Sequence, residues 1–586
     1  MRVDIIEGIR RLGELRANWD AVYDADPESQ FFLSSIWMFK WLGAIRKPWF
    51  VLAVRPDDAS PYVAFFPLWL QTQERKDSGF FYNELHMGGH HSADYTGFLC
   101  RPEFEEQAIP ALAASVHQLN WTYLRLDALR MSDERLSLFL RAFSSDAFHV
   151  CPIDRFNEDG IDNSICPLAP LPGDWDAYLD GLSANMRQKI RRLLRQMEKS
   201  DEIRITHATK ETVGRDIDML LRFWSDRWGA RKGAMLKGIV GNYRLMLRHA
   251  FEAGALFMPV LWQGDRQIGS LAILIDSRKK VFHFYIAGRD QAFDGPPPGT
   301  ILHAHSIRHA IRQGIVAYDF LRGNEPYKYS FGVEERRIGF SMLATKDRVN
   351  LGGRLDKRSM PLALQRAEEH FAAGRQAEAE RGFRQVLDIE PRDPQALYGL
   401  ARIMAGRAEH AVAVDLLQAL VALKPDIARA WFWLGRSLRA RGALAAAAAA
   451  YCEGIERQPG PPIPGAYHEL GQILLDLGCF DAAAATFDAV VDLQPDFPDG
   501  YASLLKALDP QDAAPAASAS PQTALDADMK GRIARLPAVA ALSRRNRPAL
   551  DRISAAAGRS SGATPPPFLS RAMPLPVERL KGQGGG

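Results

Sequence analysis

The sequence predicts an α/β region of mixed sheets, followed by an all-α helical repeat array and a disordered tail. Three observations predict it. Short β-rich runs alternate with amphipathic helical stretches from the start to about residue 350. Apolar helical segments then recur at a fixed period to about 508, and the remainder is rich in Ala, Ser, Pro and Gly. At 586 residues the chain can form roughly four units of about 150 residues each. With 47% hydrophobic and 24% charged residues, it is not collagen-like, coiled-coil or wholly disordered. The 73 basic and 70 acidic side chains leave +3, too little to indicate a nucleic-acid or membrane partner.

The opening stretch, MRVDIIEGIRRLGELRANWD, carries acidic residues where a secretory peptide needs an unbroken apolar run, so no export signal is expected. No window reaches the roughly 18 apolar residues of a membrane-spanning helix. Cys100, Cys151, Cys166, Cys452 and Cys479 are scattered without a CxxC pair, which argues against a disulfide framework and a zinc site. A reducing cytoplasm is the expected setting.

In the periodic part, Pro391, Pro425, Pro459 and Pro495 each close an apolar helical run, at spacings of 34, 34 and 36 residues. Small residues Ala379, Ala413, Ala447 and Ala483 fall in register, and bulky Phe383, Leu417, Tyr451 and Phe487 follow four positions on. Trp431, Leu434 and Gly435 match Tyr467, Leu470 and Gly471, while Gly374, Gly442 and Gly478 occupy an inter-helix turn. Small residues let paired helices approach, aromatics fill the gap and proline ends the second helix. This pattern, over residues 360–508, resembles the tetratricopeptide repeat family, which implies a protein partner on the concave face. Residues 509–586 are expected to be disordered. Within them, the arginine-bearing stretch MKGRIARLPAVAALSRRNRPAL reads either as a solvated tail or as a short helix for an acidic partner.

In the α/β part, WFVLAVR, YVAFFPLWL and TYLRLDAL precede a helical middle; LFMPVLW, IGSLAILI and VFHFYIAG follow it as a three-strand antiparallel meander. Next come Pro296-Pro297-Pro298-Gly299-Thr300, a helix stopped by Gly314 and the strand IVAYDFL, a crossover unit. Two strand-rich blocks suggest two similar halves, 1–165 and 166–350.

The stretches FLSSIWMFKW at 32–41, Asp94-Tyr95 after HMGGHHSA, LSANMRQKIRR at 182–192, FWSDRW at 223–228, PGTIL at 298–302 and DFLRGNEPYK at 319–328 occur in order over some 300 residues. Together they resemble the GNAT acyltransferases, and within them the CelD-like branch associated with cellulose and other polysaccharide synthesis. Fem-type transferases, which carry tandem GNAT domains and use aminoacyl-tRNA, are similar. The resemblance implies a mixed-sheet GNAT-like fold in tandem, with acetyl-CoA or another acyl-CoA as co-substrate. It also implies an amine or hydroxyl acceptor on a sugar or polysaccharide precursor. The usual glycine-rich coenzyme A loop is replaced here by the proline run.

Gly299 and Thr300 open the crossover helix and form either an anion site of free N–H groups or a plain helix start. Asp319, at a strand end, is either a general base or a buried carboxylate held by Arg322. Tyr327 is placed to protonate a thiolate and Lys328 to bind a phosphate or oxyanion. His283 and Tyr285 share one strand face, which is either reactive or a hydrogen-bonded core. Arg187, nearest the start of a basic helix, grips a phosphate-bearing acceptor or is solvated. Trp228 stacks on a sugar or packs a core. His303, His305 and His309 are spread around their helix and make no metal set. His86, His90, His91 and Asp94 read either as metal ligands or, with Tyr95, as a cleft wall. The cleft wall is the expectation, and no metal is expected. A Fem-type aminoacyltransferase and an inactive scaffold acting through its repeats are the rival readings.

Overall fold

A computed structural model describes residues 1–509 and 525–543 of the chain. The chain divides into two compact units, residues 1–73 with 82–359, and residues 74–81 with 360 onward. Among the described residues, no helix is long and apolar enough to cross a membrane, and the five cysteines are free.

The first unit contains the strands β1 (Arg2–Ile6), β2 (Trp49–Arg55), β3 (Ala64–Glu74), β4 (Phe81–Met87), β5 (Leu99–Cys100), β6 (Tyr123–Leu129) and β7 (Phe148–Pro152). They are followed by β8 (Ile165–Pro170), β9 (Ile203–His207), β10 (Leu256–Phe257), β11 (Pro259–Gln263), β12 (Arg266–Asp276) and β13 (Val281–Arg289). The last are β14 (Ala317–Asp319), β15 (Glu334–Arg337) and β16 (Gly339–Thr345). Two eight-stranded sheets result, ordered β1-β2-β3-β4-β6-β16-β7 with β5 beside β3, and β15-β8-β14-β13-β12-β11-β9 with β10 beside β12.

β16 returns to the first sheet, between β6 and β7, where Leu343 is fully buried. The span 166–350 therefore contributes to both sheets instead of forming a half of its own. Buried aromatics of the N-terminal helices, including Trp19, Phe32 and Trp37, share one core with Leu220, Leu247 and Ile286 of the later half.

The expected meander is present, since β11, β12 and β13 are antiparallel neighbours. LFMPVLW is broken at Met258 into β10 and β11, both paired with β12. The crossover is also present. β13 leads through the helix Pro298–Arg312 to β14, which runs parallel to it over three pairs ending at His283↔Asp319. β4 and β6, joined through the helix Glu105–His117, repeat this arrangement with three parallel pairs ending at His86↔Arg125.

In the second unit, paired helices run Met360–Ala372 with Gln376–Leu387, Pro394–Gly406 with His410–Leu423, Ala428–Ala440 with Leu444–Glu456, and Pro464–Asp476 with Phe480–Leu493. Gly374, Gly442 and Gly478 sit in the inter-helix turns with φ of 77°, 77° and 72°. A Cβ on Gly399, Gly435 or Gly471 would stand 2.3, 2.6 and 2.6 Å from the rings of Phe383, Tyr451 and Phe487, so the bulky side chains pack directly on helix backbone.

The expectation of disorder from 509 onward fails for 525–543, which carry helices Ala527–Arg535 and Pro537–Ser543. Their apolar face, Ile533, Leu536 and Val539, is buried. Arg532 reaches Glu453 and Glu456 at 2.7 Å each, and the Ala538 N–H donates to Tyr467 Oη at 3.3 Å. The acidic partner of this basic stretch is the chain's own repeat helix. Residues 510–524 and 544–586 lie outside the described residues.

Candidate active site

β13 organises the site. Ala272 pairs with Ile286 and Ile273 with Phe284, so Tyr285 is the extra residue of a β-bulge. The bulge shifts the side-chain alternation, so that Phe284 packs towards the crossover helix and Ile286 towards the core shared with the N-terminal helices. Beyond His283↔Asp319, β13 runs on to Arg289 without β14. The two parallel strands part there, and the gap opens beside the helix that starts at Pro298.

A cleft of about 500 Å3 lies at this opening, lined among others by Ala287, Arg289, Pro298, Gly299, Thr300 and His303. Tyr327, Phe223, Arg227 and Lys189 complete its rim. Pro298 has no N–H and Ile301 N–H is bonded to Pro297 O, so Gly299 and Thr300 carry the N–H groups free to meet an anion. Gly288 is required here because a Cβ would stand 2.6 Å from Leu220 O. Its absence lets the helix Val213–Lys232 press Phe223 and Arg227 against the cleft. His303 Nδ1 is 2.9 Å from Tyr318 Oη, and burial brings its pKa down to about 3, so the imidazole in the cleft wall is neutral.

On the other face of β13, Asp319 is buried and accepts hydrogen bonds from Tyr95 Oη at 2.9 and 3.0 Å and from Leu321 N–H at 2.8 Å. His283 Nδ1 lies 3.3 Å from Asp319 Oδ2. Burial alone would raise the Asp319 pKa, but the His283 contact, the charge of Arg130 and the Leu321 N–H together lower it. The carboxylate is held ionised. Arg322 pairs with Asp94 at 2.6 Å. Burial opposes the Arg322 charge, and the Asp94 carboxylate outweighs it to raise the pKa.

Tyr285 donates to Ser92 O at 2.5 Å and meets the rings of Trp37 and Tyr243 edge-on at 5.4 and 5.6 Å. Phe31 and Phe32 face His283, each with its centroid at 6.2 Å. Within this aromatic cluster, both ring nitrogens of His283 and Trp37 Nε1 are buried without a hydrogen-bond partner among the described residues.

The structure thus brings Asp319, His283, Tyr285, Asp94, Tyr95 and Arg322 to one face of β13, and Gly299, Thr300 and Tyr327 to the cleft on the other. Three candidates fall elsewhere. Lys328 Nζ is tied to Arg322 O at 2.7 Å and Gly323 O at 2.9 Å, so it straps its own loop and has no donor turned to an oxyanion there. Arg187 pairs with Asp180 at 2.8 Å. Trp228 lies under the guanidinium groups of Arg227 and Arg231, at 4.9 and 5.3 Å. Sequence reasoning placed Lys189 in the basic helix but preferred Arg187, although helix spacing favoured Lys189. Met186 is buried in the cleft wall, and the residue three positions on shares its face. His303, one turn after Gly299, carried the same signal. Phe32 and Trp37 lie in the 32–41 stretch, but their meeting with Tyr243 and Tyr285 was not legible, because these come from distant segments.

The acetyltransferase (GNAT) domain model matches residues 184–329, and tetratricopeptide repeat models match 406–462 and 464–497. Nothing among the curated proteins matches the sequence. Among solved structures, FemX is similar at 10% identity over 58% of this chain and 97% of its own, with a TM-score of 0.40. The C-terminal domain of a putative lysylphosphatidylglycerol synthetase from Agrobacterium fabrum is similar at 13% identity over 57% and 92%, with a TM-score of 0.33. MamA from Desulfovibrio magneticus RS-1 is similar at 22% identity over 24% and 79%, with a TM-score of 0.23. The chain carries a GNAT-type acetyltransferase domain followed by C-terminal tetratricopeptide repeats.

Proposed function

We propose that the chain transfers an acyl group from a thioester donor, acetyl-CoA or another acyl-CoA, to an amine or hydroxyl of a sugar or envelope polysaccharide precursor. This is the chemistry of the CelD-like branch, with the repeats docking a protein partner. The observation that carries the reading is the buried aromatic cluster, where His283 Nε2 and Trp37 Nε1 lack hydrogen-bond partners beside the parting of β13 and β14. Unpaired buried polar groups cost about 1–3 kcal/mol each, and an acceptor would satisfy them.

The cleft suits a phosphorylated donor. Gly299 and Thr300 N–H groups meet the pyrophosphate, with Lys189, Arg227 and Arg289 supplying charge around it. The donor supplies the activated acyl group. The Asp319 carboxylate, 3.3 Å from His283 Nδ1, favours a proton on Nδ1 by its charge, which leaves His283 Nε2 to take the proton of the acceptor. Asp319 is then a positioning residue, because its oxygens are engaged and its pKa is low. Tyr327, at the cleft rim, is placed to return a proton to the leaving thiolate.

Calorimetry of the full chain with acetyl-CoA tests the donor. Micromolar binding, lost in Gly299→Glu, supports it. In thiol-release assays with a panel of amino sugars, His283→Gln should bind donor normally yet lose at least about 100-fold in rate. The proline in place of a third N–H donor favours a second reading, an aminoacyl ester of tRNA. Absence of acetyl-CoA binding in the wild type moves the assignment there, and binding with wild-type turnover in His283→Gln removes the proposed base.

A further inference from the structure

The first sheet contains its own histidine cluster, which the acyl-transfer site does not use. His86 closes the parallel β4/β6 ladder opposite Arg125, and Asp127, two residues on along β6, projects to the same face. The turn after β4 depends on two glycines. A Cβ on Gly88 would lie 2.7 Å from Pro67 Cβ, and Gly89 has φ 85°. This reversal brings His90 back over the sheet, with its Nε2 at 3.3 Å from Asp127 Oδ2. One ligand atom from each of His86, His90 and Asp127 lies within 4.8 Å of the others.

The polar pairing of these groups is incomplete, His86 Nε2 having the Glu84 carboxylate at 3.3 Å. His86 is 6% exposed and stacked on Trp69 at 4.2 Å. Both of its ring nitrogens, and Nδ1 of His90, are buried without a hydrogen-bond partner among the described residues. Arg125 and Arg155 contact Asp127 from outside the cluster, fixing its carboxylate while each oxygen retains a further lone pair. Two imidazoles and one carboxylate suit zinc-class divalent ions, whereas calcium and magnesium prefer all-oxygen sets.

We propose that His86, His90 and Asp127 bind one divalent transition-metal ion of the zinc class, with a fourth position open to water. The sequence pointed to no metal here, and the ligand set differs from the alternative of His86, His90, His91 and Asp94. Asp94 is committed to Arg322, and its place is taken by Asp127 from a neighbouring strand. The ion pins the turn whose continuation delivers Asp94 and Tyr95 to Arg322 and Asp319, so it positions those residues and takes no part in transfer.

The test uses the full chain stripped with chelator and titrated with zinc chloride against a chromogenic indicator. Cobalt(II) serves in parallel as a visible-absorption probe of the ligand set. The expected result is one equivalent bound, a raised melting temperature and a tetrahedral cobalt spectrum. Affinity should fall at least about tenfold in His86→Gln and His90→Gln, and stay unchanged in His207→Gln. His90 lies in the turn with its side chain 18% exposed, so His90→Gln decides the matter if His86→Gln fails to fold. No bound zinc in the wild type, or undiminished binding in a folded His90→Gln, overturns the proposal. Because the readout is metal stoichiometry, the result is independent of the acyl-transfer reading.

Discussion

Asp319 shows how burial changes what a residue type means. A carboxylate at a strand end suggests a base, yet this one accepts from Tyr95 and Leu321, faces His283 and has a lowered pKa. In the proposed mechanism the reactive atom is therefore on the neighbouring imidazole. His303 gives the pH prediction at this scale. Its pKa falls from 6.5 to about 3 on folding, so between those values the unfolded chain binds a proton that the native chain refuses. The stabilisation is complete above 6.5 and is lost progressively as pH falls towards 3. His303→Gln should therefore show a smaller drop in melting temperature between pH 7 and pH 5 than the wild type. Equal drops would show that His303 is not the titrating group.

At the scale of elements, β13 owes its role to one extra residue. Without the bulge at Tyr285, the residues beyond it would exchange faces, and Ala287 and Arg289 would leave the cleft. The repeats offer a sharper test. The turn glycines Gly374, Gly442 and Gly478 have a counterpart in Ala408, which adopts φ 62°. A left-handed non-glycine residue costs about 1–2 kcal/mol, partly offset by the greater unfolded-state entropy of glycine. Ala408→Gly should stabilise the repeat unit by about 0.5–1 kcal/mol in chemical denaturation. A destabilised variant would mean that the Ala408 side chain contributes packing that outweighs the strain.

At the scale of the whole molecule, each unit is closed by a segment arriving from far along the chain. β16 enters the first sheet some 190 residues after β7, and helix Ala527–Arg535 docks on repeat helices through Arg532. Arg532 bridges two partly exposed carboxylates, a contact of about 1 kcal/mol. Arg532→Ser should accelerate limited proteolysis within 525–543 and leave the melting of the first unit unchanged. Unaltered cleavage would assign the docking to Ile533, Leu536 and Val539 alone.

The sequence by itself determined what local periodicity encodes. The repeat spacing, the small and bulky positions that pack the helix pairs, the β11–β13 meander and the crossover to β14 were all legible, because each depends on neighbours in the chain. Recognisable stretches also marked Asp94, Tyr95 and Asp319, and strand alternation marked His283, but as separate points. Only the tertiary structure decided which of them meet. It set Tyr95 on Asp319 across 224 residues, tied Lys328 into its own loop, and gathered Phe31, Trp37 and Tyr243 into one aromatic cluster. It also exchanged Asp94 for Asp127 beside the histidines. Burial, partner and charge belong to contacts between distant segments, so no single stretch of sequence carries them.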